Sequence, residues 1–109
     1  MDRHGDILNR VRATAQRKVL FLPHALRQML RPDRMIGRLE VRQVIAQGDV
    51  IEDYPEDPRG HSCLMLGFGE DGRAVRVVCA PKAEYLAIIT AYLPDESKWS
   101  AGYSRRRER

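Results

Sequence analysis

The sequence predicts an α+β domain: an antiparallel sheet of about four strands with N-terminal helices packed on one face. Two observations lead to that class. Apolar residues at helical spacing occur in the first 48 residues. The second half holds β-branched and aromatic runs separated by turn-forming Gly, Pro and acidic residues. A chain of 109 residues bounds the rest, since it supports one core and not two.

Ile7, Leu8, Val11 and Ala15 share one helical stripe, with Arg3, Arg10, Arg12 and Arg17 outside it. Residues 1–18 therefore read as a short basic amphipathic helix, or as a basic helical arm that becomes helical only against something else. Lys18–Leu22 is a brief strand. Pro23 suits the first helical position, and His24–Arg31 is a helix stopped by Pro32. Its expected buried stripe is Leu22, Leu26, Met29 and Leu30, leaving His24, Arg27, Gln28 and Arg31 together on the opposite face. Arg38–Gln47 is a second helix that buries Leu39, Val44 and Ile45, with Gly48 as a left-handed C-cap. Asp49–Tyr54 is a strand, and the following PEDPRGH run is a loop. Ser62–Gly69 and Arg73–Ala80 form a hairpin across Glu70-Asp71-Gly72.

The chain is organised around Tyr85–Trp99, YLAIITAYLPDESKW, a strand that Pro94 ends. Strict alternation puts Tyr85, Ala87, Ile89, Ala91 and Leu93 on the core face, with Leu86, Ile88, Thr90 and Tyr92 on the other. Register against Arg73–Ala80 then decides where Arg76 lies. A four-residue loop sets Arg76 opposite Ile89 in the core, an unpaired buried cation. A five-residue loop sets it opposite Thr90, with Ala74 opposite Tyr92, so that Arg76, Thr90 and Tyr92 line one surface. The second register is the expectation, with the His24–Arg27 stripe near the rim of that surface.

Charge is uneven. Residues 1–48 hold ten Lys/Arg against four Asp/Glu, residues 49–95 four against nine, and residues 96–109 five against two. Basic ends around an acidic middle suit a polyanion on one face. A solvated face that keeps the protein soluble is the competing reading. Cys63 and Cys79 are too few for a disulfide framework or a zinc site, and both sit in apolar runs as buried free thiols. No apolar run reaches a membrane span and the N-terminus shows no secretory pattern, so the expected location is cytoplasmic. Residues 1–103 are expected to form a single domain, with 104–109 a disordered basic tail.

His24-Ala25, Arg27, Met29, Arg34, Ile36, Gly48, the IEDYP of 51–55, Val77-Val78, and IITAYLP followed by Trp99 resemble the domain of unknown function 4258 family. The HAxxR start and the IITxYxP ending carry most of that resemblance, which covers about residues 22–99. The family is similar, distantly, to RelE and BrnT toxins, so the resemblance implies a RelE-like fold and a metal-independent ribonuclease of a toxin–antitoxin pair. RNA and an antitoxin-like protein are the implied partners, with neither cofactor nor metal. A departure stands at Arg76, where the family often has a histidine. Guanidinium holds a phosphate but carries no proton, so a non-catalytic derivative is implied equally.

Metal-free RNA cleavage needs a base for the 2′-OH, an acid for the leaving oxygen and cations on the phosphorane. The catalytic candidates are His24 as acid/base, Arg27 as phosphate clamp and Tyr92 as orienting or stacking group. Arg31, Arg76, Thr90 and His61 are the substrate-binding candidates, His61 also standing in for the proton carrier that Arg76 replaces. Each has a plainer reading: a helix-capping histidine, a surface arginine, a strand tyrosine half in the core, a loop histidine on the surface. Glu52, Asp53, Glu56 and Asp57 read as a solvated loop or a dock for a basic partner, because no matching ligand set accompanies them. The alternative function is a non-enzymatic module that holds nucleic acid or protein on its basic face.

Overall fold

A computed structural model describes residues 4–94. Three helices, α1 (Gly5–Arg17), α2 (Pro23–Met29) and α3 (Arg38–Gln47), accompany five strands: β1 (Val19–Phe21), β2 (Asp49–Tyr54), β3 (Ser62–Phe68), β4 (Ala74–Pro81) and β5 (Leu86–Tyr92). The α+β class holds. The sheet order is β1-β5-β4-β3-β2, in which β2 to β5 are an antiparallel meander and β1 joins parallel to β5. The sheet is thus mixed and five-stranded rather than antiparallel and four-stranded. A run as short as β1 becomes a strand only because its partner, near the other end of the chain, completes its backbone hydrogen bonds. Expected Trp99 and the 104–109 tail lie outside the described residues.

Ile7 and Val11 of α1 are fully buried in a cluster with Val41, Val44 and Ile45 of α3 and with Cys63, Met65, Val75, Val77 and Cys79 of the sheet. The first helix is therefore part of the core and not an arm. Arg12, outside the apolar stripe, is used structurally: Nε donates to the Ile45 carbonyl at 3.0 Å and Nη2 to the Gly48 carbonyl at 2.8 Å. A cation there satisfies carbonyls that the end of α3 leaves without partners.

Within α2 the buried pair is Ala25 and Met29, while Leu26 is only partly buried and Leu30 is 63% exposed. The helix stops at Met29, so Leu30 leaves the stripe that helical spacing assigns to it. In α3, Val41 takes the core place expected of Leu39, which is 80% exposed. Gly48 is extended, with φ −84°, rather than left-handed. Its lack of a side chain serves contact instead: a Cβ would lie 2.6 Å from the Leu66 carbonyl and 2.7 Å from that of Val44.

Glu40, 3% exposed, is the main buried acid. Arg73 grips it with Nε to Oε2 at 2.8 Å and Nη2 to Oε1 at 2.7 Å. The Glu70 N–H donates to Oε2 at 2.9 Å, and the Gly37 N–H donates to Oε1 at 3.4 Å. Arg73 also donates to the carbonyls of Arg34 (2.9 Å) and Met35 (3.0 Å). One ion pair thus joins the linker before α3, the first turn of α3 and the β3–β4 turn. That turn, Glu70–Gly72, has positive φ at Asp71 and Gly72, as the hairpin reading requires.

The β4–β5 register matches neither expected alternative. Pro81 pairs with Leu86 across a four-residue loop, and Ile89 is an extra residue between the Val78–Thr90 and Cys79–Ile88 pairs. This bulge sets Arg76 opposite Tyr92. It also exchanges the faces of β5 half-way along. Leu86 and Ile88 before it, with Ala91 and Leu93 after it, face the helices. Strict alternation through Ile89 was the wrong premise.

Cys63 and Cys79 pair across β3 and β4 with both thiols buried and their sulfurs 4.0 Å apart. Burial and the neighbouring thiol raise the Cys79 pKa, the hydrogen bond to Cys63 being the largest cause.

Hydrogen bonding by Arg73 holds the Glu40 carboxyl below the usual carboxylate range, against the opposing effect of burial. A depressed folded-state pKa stabilises the fold above the unfolded value and is lost as pH falls through the folded one. Glu40→Gln should cost about 3 kcal/mol at neutral pH, read from urea midpoints, and should flatten the loss of stability in acid. An unchanged midpoint contradicts the role assigned to the pair.

Candidate functional site

Short β1 pairs only with Leu86–Ile88 and leaves that side of the second half of β5 without a strand, and α2 with its linker fills that place. The Leu22 N–H donates to the Ile88 carbonyl at 3.2 Å, which carries the ladder to the start of α2. At the other end, Arg34 Nη1 donates to the Ala91 carbonyl at 3.3 Å and to the Gln28 side chain at 3.2 Å. The helix thus runs beside β5 from Ile88 to Ala91 and covers a sheet edge that backbone polarity would otherwise leave open.

This arrangement gathers cations. His24 and Arg27 are exposed and make no side-chain hydrogen bond or ion pair among the described residues. Arg31 is exposed and forms a forked pair with Asp33, both bonds at 3.2 Å. The Arg34 pKa is lowered, first by burial and then by repulsion from Arg31, with Asp33 opposing. Two guanidinium groups near each other, with one carboxylate between them, leave net positive potential at the end of β5. His24 lies at the Ile88 end of α2, whereas Tyr92 lies four residues further along β5, beside Arg34's contact at Ala91.

Arg76, Thr90 and Tyr92 do share the sheet face turned away from the helix core, through the Arg76–Tyr92 and Val78–Thr90 pairs. They differ in access. Thr90 and Tyr92 are half-buried, but Arg76 is 1% exposed, so its guanidinium does not reach solvent. Burial to that depth keeps Arg76 from lining an open surface with Thr90 and Tyr92, as the five-residue-loop register expects it to.

His61 is elsewhere. Cys63 of the core cluster pairs with Asp53, which sets Asp53 on the helix side of the sheet near β2. There His61 Nε2 is 2.6 Å from Asp53 Oδ1, and Arg10 Nη1 is 3.0 Å from His61 Nδ1. Arginine only donates, so Nδ1 faces a donor in Arg10 while Nε2 faces the acceptor oxygen of Asp53. Both nitrogens make contacts there, and the β2–β3 loop that carries His61 sets it apart from the Tyr92 surface. The adjoining loop is equally engaged. Arg59 donates to Asp57 from Nε (3.1 Å) and Nη2 (2.9 Å), and the Ser62 hydroxyl donates to it at 2.7 Å, together holding the Asp57 carboxyl well below the usual range.

The family model for a domain of unknown function (DUF4258) matches residues 21–93. The chain belongs to that family. No curated protein and no solved structure matches it. The matched span begins in β1 and ends one residue after β5, so the family unit includes the α2–β5 edge and leaves α1 outside.

Arg34 is the group that residue patterning passed over as a site candidate. It stands in a linker after Pro32, where no periodicity assigns a face. Its presence among the residues that carry the family resemblance was the available signal. Among the described residues, no three His, Cys, Asp or Glu side chains gather to hold a metal.

The two histidines should separate chemically. Diethylpyrocarbonate, followed by peptide mass spectrometry, should modify exposed His24 well before His61, whose ring nitrogens are both engaged. Equal rates would show that the Arg10–His61–Asp53 chain does not persist in solution.

Proposed function

We propose that this protein binds RNA along the α2–β5 edge and is a non-catalytic derivative of the RelE-like ribonucleases. The observation that carries this reading is the cation row on α2 and its linker. His24 and Arg27 are exposed and make no side-chain hydrogen bond or ion pair among the described residues, Arg31 is exposed, and Arg34 is anchored to the Ala91 carbonyl next to Tyr92. Arginine side chains spaced along one edge suit successive phosphates, and a half-buried tyrosine at its end suits base stacking. The position of His61 supports the non-catalytic side of the proposal. It lies between β2 and β3, at the opposite edge of the sheet from β1 and α2, which leaves His24 as the one histidine on the α2–β5 edge among the described residues.

The second reading is the metal-independent ribonuclease toxin of a toxin–antitoxin pair, held by an antitoxin-like protein. Exposed His24 favours it, since a histidine in solvent can serve as acid or base near neutrality. In either reading RNA as ligand implies a cytoplasmic protein. Among the described residues no helix is long and apolar enough to cross a membrane.

Fluorescence anisotropy with a labelled oligouridylate should show binding that weakens as salt rises. Arg27→Ala and Arg31→Ala should each lower the slope of log K against log salt by about 0.7. Incubation with the same RNA in chelator should leave it intact. Cleavage that survives chelator and is lost in His24→Ala decides for the second reading. No binding at low salt contradicts both.

A further inference from the structure

The two edges of the sheet are treated differently. At one, β1 runs on into α2, and Arg34 occupies the Ala91 carbonyl. At the other, β2 ends the sheet, and among the described residues no strand pairs with its outer side. Asp49–Tyr54 is long enough to take a partner strand. A shallow hollow of about 620 Å³ lies along it, lined by Ile51, Glu52, Asp53, Tyr54 and Pro55 together with His4.

We propose that this outer edge accepts an extended basic segment of a partner protein as an added strand. Charge selects the occupant. Residues 49–58 hold Asp49, Glu52, Asp53, Glu56 and Asp57 and no lysine or arginine. Asp53 and Asp57 are engaged by His61 and Arg59, and Glu52 accepts from the Tyr54 hydroxyl. Asp49 and Glu56 are exposed and make no side-chain contact among the described residues. A second copy brought edge to edge would oppose these carboxylates to their own kind, which is how sheet edges are kept from self-pairing. The same charges attract lysine and arginine.

Geometry adds a preference. Ile51 is the extra residue between the Val50–Met65 and Glu52–Leu64 pairs, so β2 bends at its centre. It is half-buried and lines the hollow, which gives an apolar contact within an acidic rim. An extended ligand that alternates basic with β-branched residues satisfies both, its main chain supplying the hydrogen bonds and its side chains the selection. This surface is independent of the α2–β5 edge and of any RNA held there.

The test uses the full chain and two capped octapeptides, one alternating lysine with valine and the other glutamate with valine. Amide hydrogen exchange is followed along the chain. The lysine peptide should slow exchange in residues 49–54, and the glutamate peptide should not. The double variant Asp49→Lys/Glu56→Lys should weaken the lysine peptide about tenfold. Ile51→Pro should abolish the added protection while the melting temperature stays near that of the parent, since an edge bulge tolerates proline; if that variant unfolds, the charge variant alone decides. Equal protection by both peptides, protection confined to other segments, or none at all overturns the proposal. So does protection of 49–54 that arises without peptide as protein concentration rises, which would assign the edge to a second copy.

Discussion

The bidentate pair of Glu40 and Arg73 ties together the polar margin of the core, where the linker before α3 meets the β3–β4 turn. Its reach is longer than one ion pair, because the donors around the carboxylate come from both the linker before α3 and the β3–β4 turn. The pair closes the first turn of α3 onto the β3–β4 turn, so tightly that a Cβ on Gly69 would lie 2.1 Å from the carboxylate. Arg73 then extends the same lattice to the carbonyl of Arg34. Arg34 in turn reaches across to Ala91. A buried structural acid and the outermost cation of the candidate site are thus two hydrogen bonds apart through one backbone. The geometry of the site is a consequence of how the core is closed.

The second constraint is the Ile89 bulge. Without it, Thr90 and Tyr92 would share a face with Leu86 and Ile88, and one of those sets would be misplaced. The extra residue lets β5 bury Leu86, Ile88, Ala91 and Leu93 on one side while it presents Thr90 and Tyr92 on the other. It also carries Arg76 opposite Tyr92. Bulges recur where a sheet must re-aim side chains near a site, and here the re-aimed residue is the tyrosine beside Arg34.

Much of the architecture is legible in the residues. Pro23 and the Glu70-Asp71-Gly72 turn mark boundaries by their own backbone preferences, and α3 runs over the expected Arg38–Gln47 to end at Gly48, whose role is close contact and not a left-handed turn. The parts that are not legible share a cause: they depend on partners distant in sequence. The Lys18–Leu22 run reads as a strand, but its parallel pairing with β5 does not follow from it. Arg12 caps α3 rather than facing solvent, and Glu40 is buried because Arg73 comes to it. Arg76 shows the same limit from the other side, since alternation gives its face and not its depth. Of the site, the α2 cations were readable from helical spacing, whereas Arg34 and the capture of His61 by Arg10 and Asp53 required the packed chain.

The α2–β5 edge is the surface proposed to meet RNA. Backbone amide chemical shifts of the full chain, followed as a short single-stranded RNA is titrated in at low salt, test it most directly. The account predicts perturbations concentrated in residues 24–34 and 90–92 and fading as salt is added. Perturbations centred on 49–57, or a spectrum unmoved by RNA, would contradict it.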